Sequence, residues 1–191
     1  GLAFADAGVI IPSTKPEPDP NILSLAEMDV DILVDNQVAR IRVKQIFRSH
    51  VGENLEGKYQ FALPARALVS DFAVWDDVVR IPGVILERRR AEEIYNDLKW
   101  QAIDPGLLQM GERDADEARR TSIFSAKVVP IPAFGTRRVE IEYQERLQVE
   151  QGDAVLSIPL RPDVYRSQTA AKLTIEVDFK STHAVRDVQF P

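Results

Sequence analysis

From Met28 to Lys44 the chain reads M-D-V-D-I-L-V-D-N-Q-V-A-R-I-R-V-K, and this stretch decides the class of fold. Val30, Ile32 and Val34 fall on one side of an extended chain, with Asp29, Asp31 and Leu33 on the other, because successive side chains of a strand alternate between its faces. Asp35-Asn36-Gln37 supplies turn residues, after which Ala39, Ile41 and Val43 alternate with Arg40, Arg42 and Lys44. The pattern predicts a hairpin with one dry face and one wet face. Acidic residues on its first strand oppose basic residues on its second, which favours cross-strand pairing.

More strands follow on the C-terminal side. Tyr59, Phe61 and Leu63 mark a third that stops at Pro64, and Leu68 to Trp75 is apolar on both faces apart from Ser70 and Asp71, which predicts a central position in a sheet. After a turn at Pro82-Gly83, Ala91, Ile94, Tyr95 and Leu98 recur at helical spacing and predict an amphipathic helix over Arg89 to Lys99. Strands resume at Ser122 to Val129, Arg137 to Leu147, Ala154 to Ile158 and Lys172 to Phe179, with Gln151-Gly152-Asp153 as a hairpin turn. The expected fold is mainly β, an antiparallel β-sandwich with one helix at its side. Upstream, Pro12 to Asn21 has proline at 12, 16, 18 and 20, which reads as an extended linker. The expected organisation is an arm and proline-rich linker over 1–21, a sandwich domain over 22–180, and a run-in toward a downstream domain over 181–191.

The chain has 191 residues, 45% hydrophobic and 28% charged, with a formal charge of −6. That is ordinary globular composition, and the acidic balance argues against a nucleic-acid partner, which needs a clustered basic surface. The absence of cysteine removes disulfides, thiolate metal sites and thiol catalysis together. No run of about 18 apolar residues exists to span a membrane. Ala5-Asp6-Ala7 has the A-x-A form that precedes a signal-peptidase cut, so residues 1–7 read as a signal-peptide remnant and the mature chain is expected to start near Gly8 or Val9.

Residues that could carry chemistry are few. His50 and His183 have no neighbours at metal-ligand or triad spacing. Glu112, Asp114, Asp116 and Glu117 could offer oxygen ligands to calcium, but Arg113, Arg119 and Arg120 neutralise the same loop, so a solvated charged loop is the expectation. Glu87, Glu92 and Glu93 lie beside Arg88, Arg89 and Arg90 at a helix start, where carboxylates stay ionised. Trp75 and Trp100 flank the helical segment as core or interface anchors. No catalytic, metal or cofactor residue is assigned. The candidate interaction surface is Trp75, Arg88, Arg89, Arg90, Glu112, Arg113, Asp114 and Asp116.

Several pieces occur in an order that resembles the VIT domain, the module of vault protein and inter-alpha-trypsin inhibitor heavy chains. They are V-K-Q-I-F-R at Val43 to Arg48, Y-Q-F-A-L-P-A-R-A-L-V-S-D-F at Tyr59 to Phe72, and G-V-I-L-E-R-R-R-A-E-E-I-Y at Gly83 to Tyr95. F-S-A-K-V-V-P-I-P at Phe124 to Pro132, V-E-I-E-Y-Q-E-R-L at Val139 to Leu147 and L-S-I-P-L-R-P at Leu156 to Pro162 continue the series. The resemblance implies a β-rich module that usually precedes a von Willebrand A domain, whose D-x-S-x-S metal loop does not occur here. It also implies that Ala91 and Tyr95 pack a helix on the sheet, that Pro64 ends a strand and that Tyr143 anchors a late one. The glycan attachment of vertebrate heavy chains uses a residue outside this module and does not carry over.

The expectation is a non-catalytic protein-interaction or adhesion module of an exported protein, secreted, periplasmic or at the cell surface. It would pack against a neighbouring von Willebrand A type domain or an extracellular protein or matrix partner. A self-assembling surface or structural subunit is the alternative, and a carboxylate-based hydrolase a more distant one.

Overall fold

The computed structural model describes residues 8–64, 67–83, 121–150, 153–156, 158 and 170–182. These form β1 (Gly8–Pro12), β2 (Leu23–Asp35), β3 (Val38–Ser49), β4 (Leu55–Pro64), β5 (Leu68–Asp76), β6 (Val79–Pro82), β7 (Thr121–Ile131), β8 (Thr136–Arg146), β9 (Gln148–Glu150), β10 (Asp153–Val155) and β11 (Lys172–Lys180). The helix expected over Arg89 to Lys99, with Ala91 and Tyr95, lies outside the described residues.

The Met28–Lys44 stretch folds as its pattern dictates. Asp35 pairs with Val38 across Asn36-Gln37, and Met28, Val30, Ile32, Val34, Ala39, Ile41 and Val43 are all buried. Asn36 takes a φ of 54°, the left-handed conformation that asparagine tolerates better than most residues. Asp77, with a φ of 53°, turns β5 into β6 by the same device.

A six-stranded sheet runs in the order β11-β2-β3-β8-β5-β6 and a three-stranded sheet in the order β1-β4-β7. Their inner faces meet on an aromatic pile. Tyr59 of β4 contacts Phe47 edge-on at 6.2 Å between centroids and stacks on Phe72 at 5.8 Å, while Phe61 meets Tyr143 at 6.1 Å. Tyr143 is fully buried and β4 ends at Pro64, as the resemblance implies. The expected turn near Gly152 is matched by antiparallel pairing of β9 with β10.

Two expectations are corrected. The large sheet is not wholly antiparallel: β11 pairs with β2 in parallel from Lys172 opposite Glu27 to Lys180 opposite Asp35. A parallel neighbour cannot be reached through a tight hairpin, and β11 begins only after the long connection that follows β10. The folded body starts earlier than Ile22, because Gly8–Pro12 form β1 along β4 and bury Val9 and Ile10 completely. Burial of such side chains contributes roughly 1.5–3 kcal/mol each, enough to hold a short strand in place behind a proline-rich connection. Leu68–Asp76 lies inside the sheet as expected, between β8 and β6, although β6 covers only Ala73 to Asp76 and Leu68 is exposed.

A buried polar group fixes β1. The Gln45 side chain, wholly inside, accepts a hydrogen bond from the Tyr59 hydroxyl at 2.7 Å and donates to the Gly8 carbonyl at 3.3 Å. A Cβ at Gly8 would sit 2.3 Å from Gln45 Oε1 and 2.8 Å from the Tyr59 hydroxyl, so only glycine fits this close approach.

Candidate interaction surface

The outer face of the six-stranded sheet carries charge in rows, acidic on β2, basic on β3 and acidic again on β8. Lys44 Nζ lies 2.6 Å from Asp29 Oδ2, and its hydrogen bond holds the Asp29 carboxyl below the usual aspartate range. Arg42 passes over the directly opposite Asp31. Its Nε and Nη2 donate instead to Glu142 Oε2 at 3.2 and 2.9 Å, which raises the arginine's pKa further. The Ser70 hydroxyl donates to the other oxygen of Glu142 at 3.1 Å.

At the β5–β6 end the rows close on an aromatic ring. The Arg138 guanidinium carbon lies 3.5 Å from the Trp75 ring centroid, an attractive contact between a cation and the negative face of the indole. Arg138 Nε is 3.7 Å from Glu140 Oε1, and Arg80 pairs with Asp71 and, at 3.8 Å, with Glu140. Trp75 Nε1 is removed from solvent with no hydrogen-bond partner among the described residues. From the inner side Arg137, only 3% exposed, donates to the Trp75 carbonyl at 2.9 Å, to Asp76 Oδ1 at 2.8 Å and to the Pro130 carbonyl. Alternation along β8 thus sends two consecutive arginines to opposite faces of the sheet, and both hold the end of β5.

Of the eight residues of the candidate interaction surface, the structure describes Trp75 alone, half-buried with one ring face covered. Arg88, Arg89, Arg90, Glu112, Arg113, Asp114 and Asp116 lie outside the described residues, as do Trp100 and His183. The sequence reading missed Arg80, Arg137 and Arg138 as partners of Trp75. The R-R pair ahead of V-E-I-E-Y was legible as one residue in and one out, but the neighbour of β8 was not.

It also missed Phe134. This phenylalanine holds a φ of 50° in the loop between β7 and β8 while 72% exposed, an uncommon conformation for a bulky side chain. Its amide donates to the Val51 carbonyl at 2.9 Å, and Asn54 Oδ1 accepts from the preceding amide of Ala133 at 3.1 Å. The loop is therefore anchored with its aromatic ring directed outward.

Groups suited to catalysis are sparse among the described residues. Ser24 Oγ and His50 Nε2 lie 2.7 Å apart on the surface, but no described carboxylate hydrogen-bonds the other ring nitrogen to orient the base. Tyr143 and Glu145, neighbours on the inner side of β8, each carry a buried oxygen without a partner among the described residues, and burial raises both pKa values. No group of three or more metal-ligating side chains occurs among the described residues, and no described helix is long and apolar enough to cross a membrane.

Comparison with known proteins bears on the family of the chain. The family model described as VIT, vault protein inter-alpha-trypsin domain, matches residues 25–143. The mouse protein named inter alpha-trypsin inhibitor, heavy chain 4 is 26% identical over 153 residues, 80% of this chain and 15% of its own length. The bovine inter-alpha-trypsin inhibitor heavy chain H4 is 24% identical over 153 residues, again 80% of this chain and 16% of the relative. A crystal structure from Legionella pneumophila overlaps 75% of this chain and 45% of its own with 12% identity and a TM-score of 0.38, a likeness too loose to carry an argument.

Proposed function

The chain belongs to the VIT family, and from that premise we propose that it is a non-catalytic interaction module of an exported protein. It docks on a neighbouring domain of von Willebrand A type in the same chain, through the β5–β6 end of its large sheet. The observation that carries the reading is the Trp75–Arg138 contact ringed by Arg80, Asp71 and Glu140. Tryptophan and arginine are the residue types that most often anchor protein interfaces, and a rim of paired charges excludes water around them. The match to inhibitor heavy chains over only 15–16% of their length agrees with a module inside a longer protein. The Arg88–Arg90 cluster and the loop bearing Glu112, Arg113, Asp114 and Asp116 are further candidate contacts in this reading, and residues 1–7 are the remnant of its export signal.

The test is association between the separately produced module and its neighbouring domain, followed by calorimetry. Trp75→Ala and the triple change of Arg88, Arg89 and Arg90 to alanine are each expected to weaken binding about tenfold or more while the fold persists. Unchanged binding in both would show that these groups are only a solvated face.

A further inference from the structure

The sheet edges of this fold are protected unevenly. Among the edge strands of the two large sheets, β1 ends in Pro12, β6 ends in Pro82 and β7 contains Pro130, each proline withdrawing an amide from further pairing. β11 has no proline and no bulge. It pairs with β2 through nine successive residues and leaves its other side without a described neighbour. Its inward-facing apolar side chains are also incompletely covered, with Ile175 41% and Phe179 46% exposed. A long, regular, partly apolar edge is a template for an added strand.

We propose that the strand added there is β11 of a second copy of this chain, running antiparallel about a two-fold axis at Ile175. The sequence of the strand argues for this occupant. With Ile175 opposite its own copy, Lys172 falls opposite Asp178 twice, and Thr174 falls opposite Glu176, all on the outward face. On the inward face Leu173 meets Val177, and Phe179 meets Ala171. Moving the axis to Glu176 sets Lys172 against Lys180 and Glu176 against itself, so like charges disfavour that register. The pairing joins two six-stranded sheets into one continuous sheet, a closed isologous contact that does not propagate into a fibre. The surface at Trp75 lies at the opposite end of the strand order and stays free, so this pairing stands or falls independently of the docking proposed above.

Sedimentation of the 191-residue chain over a range from micromolar to millimolar is the test. The wild type is expected to move from the 21.5 kDa monomer toward twice that mass. Asp178→Lys and Lys172→Asp, each placing like charges opposite one another twice, are expected to weaken the dimer about tenfold or more, and the double exchange to restore it. Thermal unfolding of each variant at low concentration separates loss of pairing from loss of fold. A wild type that remains monomeric throughout, or a dimer indifferent to both single charge reversals, would overturn the proposal.

Discussion

The guanidinium of Arg138 covers one face of the Trp75 ring at 3.5 Å, and the neighbouring Arg137 holds the carbonyl of the same tryptophan at 2.9 Å from the other side of the sheet. The two contacts differ in kind. One is a cation over a π face at the surface, the other a charge-assisted hydrogen bond in the interior, and they predict different costs.

Replacing Arg138 by alanine is expected to uncover the indole and cost only about 0.5–1 kcal/mol, the scale of an exposed cation–π contact. In a Trp100→Phe background, acrylamide should quench Trp75 more strongly in the variant than in its parent. Equal quenching would mean that the guanidinium does not shield the ring in solution.

Arg137→Met is expected to cost about 3 kcal/mol, because it strips the carbonyls of Trp75 and Pro130 of a buried donor and leaves Asp76 unpaired. Urea denaturation measures the difference. A loss no larger than that of Arg138→Ala would contradict the clamp.

Removing residues 1–21, so that the chain begins at Ile22, deletes β1 and leaves the edge of β4 unpaired. Loss of Val9 and Ile10 alone removes roughly 3–6 kcal/mol of apolar burial, comparable with the whole stability of many domains. The shortened chain is expected to lose cooperative thermal unfolding, and Gly8→Ala to lower Tm by several degrees through its collision with Gln45. A shortened chain with an unchanged Tm would show β1 to be dispensable.

Two carboxylates give pH dependences of opposite sign. The Asp29 pKa is depressed by the Lys44 hydrogen bond, so its stabilisation is present above the unfolded-state pKa and is lost as pH falls through the folded one. Burial raises the Glu145 pKa, so the folded state keeps that proton longer, and stability is lost as pH rises from the unfolded pKa through the folded one. Asp29→Asn should therefore lower Tm at neutral pH and lose its effect in acid. Glu145→Gln should raise Tm at neutral pH and be without effect in acid. The reverse order in paired melts would contradict these environments.

The dry and wet faces of the first hairpin were legible because strand alternation is a local property, and Met28 to Val43 obeys it without exception on the buried side. What pairs with what was not. The opposition of acidic β2 and basic β3 is realised in the Lys44–Asp29 pair, yet Arg42 turned to Glu142 because β8, distant in sequence, lies on the other side of β3. β1 was hidden for a similar reason: G-V-I-I-P is too short to show a period, and its burial depends wholly on β4 and Gln45. The parallel course of β11 depends on its long connection, not on its own residues. Phe134 carried no sequence signal beyond its place in P-I-P-A-F-G, since the loop that holds its left-handed φ is fixed by hydrogen bonds from the Phe134 and Ala133 amides to Val51 and Asn54.

The most direct test of the account is the intact mass and N-terminal sequence of the native product from its source. A module of a longer exported protein predicts a mass well above 21.5 kDa, a von Willebrand A type segment in the same chain and a start at Gly8 or Val9, where β1 begins. A native product near 21.5 kDa that begins upstream of Gly1 would contradict it.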